Sequence, residues 1–240
     1  MSNAFAERLR GHGPLTDADI VLLTESCRNV RELRSGHHLI REGDQPDPVF
    51  VMLEGWACRY KILPDGSRQI MAFMLPGDFC DIHIAVLEEM DHSIMTITPA
   101  RVASLPRAQM EALVEIRPAI TRAFWWAQLV DQGILRAWIV SMGRRKSIQR
   151  VAHLMCELYI RMRNIGLATD NQCEMPLTQA VLADAVGLTP VHVNRVLQKL
   201  RLDKVMDLRS GSLKILDPGK LARIAGFDDN YMHARLKRVA

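Results

Sequence analysis

Residues 182–200, LADAVGLTPVHVNRVLQKL, carry the pattern that decides the architecture. Thr189 can cap a helix, because its hydroxyl can accept a backbone N–H that lacks an intrahelical partner. Pro190 follows at the first helical position, where its missing N–H costs nothing. Val193, Val196, Leu197 and Leu200 fall at i, i+3, i+4 and i+7, which makes one apolar stripe. Val191, Arg195 and Gln198 point the opposite way, flanked by His192, Asn194 and Lys199. Such a helix is anchored by one side and offers hydrogen-bonding groups on the other.

The preceding residues 176–187, PLTQAVLADAVG, read as its partner. Val181, Leu182, Ala185 and Val186 give an apolar face, and Ala183 is small enough for a crossing helix to approach. Gly187 suits a turn that needs positive φ, and Leu188 can plug the angle between the helices. Helix, glycine turn and helix with a polar outer face is the helix-turn-helix pattern. An ordinary αα-hairpin would share it, so charge has to separate the two.

Net charge is only +4, but it is unevenly placed. Residues 1–143 hold 14 Lys/Arg against 18 Asp/Glu, a balance of −4, whereas residues 144–240 hold 17 against 9, a balance of +8. A basic C-terminal part that also carries the helix pair points to a polyanion partner. The remaining composition narrows the class. Hydrophobic residues make up 48% of the 240, enough for a sizeable core in one large or two ordinary domains. No apolar run approaches the ~20 residues that span a bilayer. MSNAFAERLR at the N-terminus lacks the apolar region of a secretory signal. Five scattered cysteines, Cys27, Cys58, Cys80, Cys156 and Cys173, form no Cys-x-x-Cys pair, which fits a reducing cytoplasm better than a disulfide framework. A cytoplasmic protein without membrane attachment is expected.

Residues 36–105 read as β-structure. Gly43, Gly55, Gly66 and Gly77 punctuate short runs rich in β-formers: HHLIRE, VFVMLE, WACRYKIL, RQIMAFM, SIMTIT and RVASL. Strands at this spacing argue for an antiparallel barrel or jelly roll. Upstream, TDADIVLLTESC is a capped helix with Thr16 or Asp17 at the cap. From Arg107 the period becomes helical, and Pro118 begins a long helix reaching about Met142. Along it Ile120, Phe124, Ala127, Val130 or Asp131, Ile134, Trp138 and Ser141 follow the spacing of a coiled seam. With Trp125 and Trp126 added, this is more aromatic surface than one exposed helix should carry. One face is expected to pack on the β-domain. The other is expected to pack on a second subunit, with Ile120, Phe124, Ala127, Ile134 and Trp138 in the dimer interface. MGRRKS then reads as a hinge. A further helix from Ile148 to about Arg163 would bury Val151, Ala152, Met155, Leu158, Tyr159 and Met162.

This order of parts resembles the Crp/Fnr transcription regulators. The phrases that match are LIREGDQPDPVFVMLEGWACRYK, LPGDFCD and LTQAVLADAVGLTPVHVNRVLQKLR, followed by VMDLRSGSLKILD, which resembles the family's wing turned at Ser210-Gly211. The resemblance covers nearly all of the chain. It implies an α+β fold: an N-terminal antiparallel β-roll of the cyclic-nucleotide-binding type, a long central dimerisation helix and a C-terminal winged helix-turn-helix. The expected domains are residues 1–143, including the dimerisation helix at about 118–142, and residues 144–240. It also implies a homodimer on a roughly palindromic DNA operator, and RNA polymerase as a partner if the protein activates.

The family reads bases mainly with an arginine at the place of Arg195 and a glutamate at the place of Val191. Arg195 is retained and is the natural bidentate reader of guanine O6 and N7. Val191 has no acceptor for a cytosine amino group but could touch a thymine methyl, and Pro190 stands where many members are polar. Asn194 could read adenine or hold a phosphate, and Gln198 shares the outward face. Thr178, Gln179, Thr189, His192 and Lys199 suit the phosphate backbone, which positions without specifying.

Cyclic-nucleotide-binding members carry, after PGDF, a glutamate for the ribose and an Arg-Ser pair for the cyclic phosphate. Here Ile82 stands at the glutamate place and His92 at the arginine place, while Ser93 keeps the serine. No Lys or Arg occurs between Arg68 and Arg101, and Asp78, Asp81, Glu88, Glu89 and Asp91 lie in the same segment. An anionic phosphate would meet like charge without the bidentate fork that holds it. Oxygen-sensing members cluster cysteines near the N-terminus for an iron–sulfur cluster; this chain has only Cys27 there. Haem on His37, His38, His83 or His92 has no support beyond the histidines themselves. A metal on Cys80 and His83 competes with the commoner structural role of such residues, and His92 has the chemistry to titrate near neutrality. The expected cofactor set is therefore empty. Two rival readings are a β-roll module acting through protein partners and an enzyme using Cys156 and His153. The basic C-terminal part and the wing oppose the first. The second pair lies in an apolar stripe better explained as core, and no Ser-His-Asp, paired-carboxylate or P-loop signal accompanies it.

Overall fold

The computed structural model describes residues 3–11, 13–45, 47–80 and 87–233. By packing, the chain divides into two compact units, residues 1–128 and 129–240. The boundary between these units falls inside a long helix. No described helix is long and apolar enough to cross a membrane.

The first unit opens with helix α1 (Ala4–Arg10), capped by the Asn3 side chain, which accepts the Ala6 N–H at 2.9 Å. It buries Phe5, Ala6 and Leu9. Helix α2 (Asp17–Ser26) follows behind a reciprocal capping box: the Asp19 carboxylate accepts the Thr16 N–H, and the Thr16 hydroxyl accepts the Asp19 N–H. The hydrogen bond from Thr16 is the largest influence holding the Asp19 carboxyl below its ordinary range.

Among the described residues seven strands come next: β1 (Val30–Leu33), β2 (His38–Ile40), β3 (Val49–Glu54), β4 (Ala57–Ile62), β5 (Arg68–Met74), β6 (Ser93–Thr96) and β7 (Ala100–Leu105). They form two antiparallel sheets, ordered β1-β7-β3 and β2-β6-β4-β5. Of these only β1 was not expected from the sequence. Phe5, Phe79 and Phe124 form an aromatic triangle with centroids 5.6–6.0 Å apart. It ties α1, the LPGDF turn and the long helix into one core. The Arg8 guanidinium pairs with the Asp78 carboxylate of that turn.

Helix α3 (Arg107–Ile116) leads into the long helix α4 (Pro118–Arg144), and α5 (Ser147–Asn164) follows at once. In the second unit α5 is the central element. Beyond the expected stripe it also buries His153, Leu154, Cys156, Glu157 and Arg161. Around it stand the hairpin β8 (Ala168–Thr169) and β9 (Gln172–Glu174), helices α6 (Gln179–Val186) and α7 (Pro190–Leu202), the hairpin β10 (Met206–Arg209) and β11 (Ser212–Ile215), and helix α8 (Pro218–Ala225). A 3-10 turn at Asp229–Met232 closes the described chain. The strands form one antiparallel sheet, β10-β11-β9-β8. The β10–β11 hairpin turns at Ser210 and Gly211, both at positive φ, as a two-residue connection of the twist-matching kind requires.

Candidate nucleic-acid interface

The helix pair forms as its sequence dictates. Thr178 caps α6 by accepting the Val181 N–H at 3.2 Å, and Gly187 ends it in the left-handed region at φ 61°. A side chain at Gly187 would crowd only the flexible end of Met142, its methyl at 2.5 Å, so it is the positive φ that calls for glycine there. Thr189 caps α7 by accepting the His192 N–H at 3.2 Å, with Pro190 in the first turn. Val193, Val196, Leu197 and Leu200 are buried as expected. Each such side chain is worth roughly 1.5–3 kcal/mol of burial, which fixes the rotation of α7 about its axis and therefore what the opposite face shows.

That face carries Val191, 62% exposed, with Arg195 and Gln198 exposed in line behind it. Among the described residues Arg195 and Gln198 take no hydrogen bond or ion pair. The flanks are more engaged. His192 Nε2 lies 3.0 Å from the Ser147 hydroxyl at the start of α5, and Lys199 pairs with Asp203 at 3.4 Å. Asn194 is half-buried. Thr178 and Gln179 are exposed at the start of α6. The ten residues expected to meet DNA thus belong to two helix starts and one open face.

Two groups were not singled out from the sequence. Arg150, on α5, donates from Nη1 to the Val186 carbonyl at the end of α6 and from Nε to the Arg145 carbonyl. A cation at that helix end satisfies an orphan carbonyl and the helix dipole together. The wing adds exposed Arg209 and Lys214. Arg209 shares Asp207 with Arg201, at 3.3 and 2.7 Å respectively. The Ser-Gly turn was the only sequence signal for this edge.

The five residues expected at a dimer seam are placed otherwise. Ile120, Phe124 and Ala127 lie in the core of the first unit, and Ile134 and Trp138 are buried in the second. Trp138 donates its indole N–H to the Glu157 carboxylate, 3.1 Å from both oxygens. These residues face the chain's own core. The face of α4 left open carries Trp125, Leu129, Leu135, Ile139 and Val140.

Glu157 is itself fully buried, with Arg161 at 3.7 Å and the Tyr231 hydroxyl donating at 3.1 Å. Burial raises the Glu157 pKa, against the opposing pull of Arg161, Trp138 and Tyr231. His153 packs edge-on to Phe227 and stacks on Tyr231. Burial lowers its pKa to about 4. Burial likewise pushes the Cys156 thiol up to about 12. His153 and Cys156 are both buried in the core of the second unit.

At the place expected for an effector, His92 is buried with Nδ1 2.7 Å from Asp91 Oδ1. The Ser93 hydroxyl accepts the Glu42 N–H at 2.9 Å. Both are engaged within the roll. Ile82, and the His83 considered for a metal, lie outside the described residues.

Known proteins share both halves. A family model for a cyclic nucleotide-binding domain matches residues 30–117, and one for a Crp-like helix-turn-helix domain matches residues 149–224. The nitrogen fixation regulation protein FixK of Bradyrhizobium diazoefficiens is 29% identical over 191 residues, covering 80% of this chain and 79% of that protein. The transcriptional activatory protein AadR of Rhodopseudomonas palustris is 28% identical, covering 78% of this chain and 77% of its own. The transcriptional activator FnrL of Cereibacter sphaeroides is 24% identical, covering 89% and 87% respectively. Among solved structures, FixK2 from Bradyrhizobium japonicum superposes with a TM-score of 0.73 at 22% identity, covering 83% of this chain and 98% of that one.

Proposed function

The chain belongs to the Crp/Fnr family of DNA-binding transcription regulators, and we propose that it acts as a homodimer whose response does not depend on a cyclic nucleotide. The observation that carries the DNA docking is the open face of α7. Arg195 stands there with no partner among the described residues, on a half-chain of charge +8. An unpaired, exposed guanidinium beside a polar row is what bidentate guanine recognition requires. Thr178, Gln179, Lys199 and the wing's Arg209 and Lys214 then hold the flanking phosphates.

Dimerisation rests on the open face of α4. Trp125, Leu129 and Ile139 fall at positions of one heptad seam and are 60%, 48% and 71% exposed in the single chain. A second copy of the same helix is the partner whose pattern matches. Two α7 helices would then meet half-sites about one helical turn, roughly 34 Å, apart.

Independence of cyclic nucleotides rests on the roll's charge. Residues 69–100 contain no Lys or Arg, and His92 and Ser93 are committed to Asp91 and Glu42. No haem, iron–sulfur cluster or metal enters the proposal, and neither does catalysis. The activator names of several relatives favour activation through RNA polymerase in the cytoplasm. Selection of bound sites from random DNA, followed by gel shifts with the full chain, tests the whole reading. A palindromic consensus containing guanine in each half-site is the expected result. A chain with no sequence preference would instead favour a β-roll module acting through protein partners.

A further inference from the structure

We propose that Val191 makes operator binding depend on a pyrimidine 5-methyl group, so that the protein reads thymine, and in part 5-methylcytosine, close to the guanine taken by Arg195. The inference rests on the DNA-binding reading above and adds the chemistry of a second base position to it.

The leading turn of α7 has spent its polar groups. The Thr189 hydroxyl is held by the His192 N–H, His192 Nε2 is held at Ser147, and Pro190 has no N–H to offer. What the turn presents outward is the exposed ring of Pro190 and the isopropyl group of Val191, 62% exposed. Val191 contributes nothing to the core, whose stripe runs through Val193, Val196, Leu197 and Leu200 on the other side. A β-branched apolar residue in this place loses side-chain freedom in the helix and leaves its surface in water. Binding that removes the surface from water returns that cost.

In the major groove the C5-methyl of thymine is the one apolar group a base pair displays. Cytosine has only a hydrogen at that point, and beside it an amino donor, where thymine has O4, that an isopropyl group leaves without an acceptor. Val191 and Arg195 lie four residues apart, about 6 Å along the axis. With base pairs ~3.4 Å apart, the methyl falls within about two base pairs of the guanine. A 5-methyl group on cytosine occupies the same point in the groove and recovers the apolar contact without removing the amino group. The expected order is thymine, then 5-methylcytosine, then cytosine.

The test uses the full chain and the operator duplex obtained by selection. Each thymine of the half-site is replaced in turn by deoxyuridine, which deletes the methyl group and nothing else. One position within two base pairs of the guanine should weaken binding about fourfold, the worth of one buried methyl, and about fifteenfold when both half-sites carry the change. In the Val191→Ala protein, whose fold is checked by circular dichroism, thymine and deoxyuridine should bind alike there. Cytosine at that position should bind more weakly than 5-methylcytosine to the parent protein. A specific operator with no deoxyuridine-sensitive position near the guanine overturns the inference and leaves the regulator reading standing. So does a sensitive position that survives Val191→Ala. Failure to select any preferred sequence overturns the regulator reading and this one with it.

Discussion

Replacing Gly133 by alanine should destabilise the second unit, although helix propensity alone predicts the reverse. Gly133 is buried in the middle of α4. Alanine there would gain about 1 kcal/mol of helix propensity. Its Cβ, however, would overlap the Tyr231 carbonyl oxygen and stand 3.2 Å from the carbonyl carbon and 3.5 Å from His233 Nε2. The obstacle is backbone, so residues 229–233 must move. They are pinned by the Tyr231–Glu157 hydrogen bond and by the stacking of Tyr231 on His153, centroids 5.8 Å apart. Losing a hydrogen bond to a charged group costs ~1.5–3 kcal/mol, and an aromatic pair adds ~0.5–1.5 kcal/mol. Set against the helix gain, the net loss is about 2 kcal/mol. Urea unfolding followed by tryptophan fluorescence measures it, since the Trp138 indole sits on the same Glu157 carboxylate. Tyr231→Phe serves as the second arm, because it removes the hydroxyl without moving the backbone. In the Gly133→Ala background that change should cost little more, a coupling that a double-mutant cycle reads directly. A raised urea midpoint for Gly133→Ala, or strict additivity of the two substitutions, would refute the close approach of α4 and the C-terminal segment.

Four further outcomes are expected. Arg195→Ala should lose ~1–3 kcal/mol of specific binding and relax one base position, read by gel shift against the selected operator and its single-base variants; unchanged affinity and preference would misplace the docking face. Ile139→Asp, at a residue 71% exposed in the single chain, should give a folded monomer by sedimentation with weakened operator binding, whereas a persistent dimer moves the interface away from α4. His153 should make stability fall in mild acid. Its pKa drops from 6.5 to about 4 on folding, so the unfolded chain binds the extra proton between those values. The contribution is complete above pH 6.5 and is lost as pH falls toward 4, about 3 kcal/mol in all at ~1.36 kcal/mol per pH unit. His153→Phe should flatten urea midpoints across that range, and an unchanged slope would show that another group is responsible. Calorimetry with cyclic AMP or cyclic GMP should show no micromolar binding, while a tenfold gain in DNA affinity on adding either would restore a nucleotide switch.

Signals that are local in the chain were legible in the sequence. The cap at Thr189, the stripe from Val193 to Leu200 and the turn at Ser210-Gly211 each depend on residues within one or two turns of one another, and each formed as read. The roll's strands announced themselves between glycines for the same reason. The seam of α4 was misassigned because the helix is apolar on two faces. Ile120, Phe124, Ile134 and Trp138 satisfy the spacing, and so do Trp125, Leu129 and Ile139. Periodicity reports that a face is apolar but not what covers it. What turns Trp138 inward is an acceptor for its N–H on Glu157, in a different helix. Helix α8 had its signals in view: Asp217 at the cap, Pro218 in the first turn and Gly226 at the end. Helix α1 is short enough that its Asn3 cap and its Phe5–Leu9 pair did not stand out. The Glu157–Tyr231 pairing joins residues 74 apart and leaves no trace in any local window.

That separation has a consequence for how the protein is made. At synthesis rates of about 5–20 residues per second, Tyr231 leaves the peptidyl transferase centre roughly 4–15 s after Glu157. A helix forms in about a microsecond, so α5 is complete long before its tyrosine partner exists. Through that interval the Glu157 carboxylate holds only Trp138 and Arg161, and one flank of His153 lies open where Phe227 and Tyr231 will pack. Each newly made chain thus passes through a stage in which α5 exists without the tyrosine that will complete one of its sides.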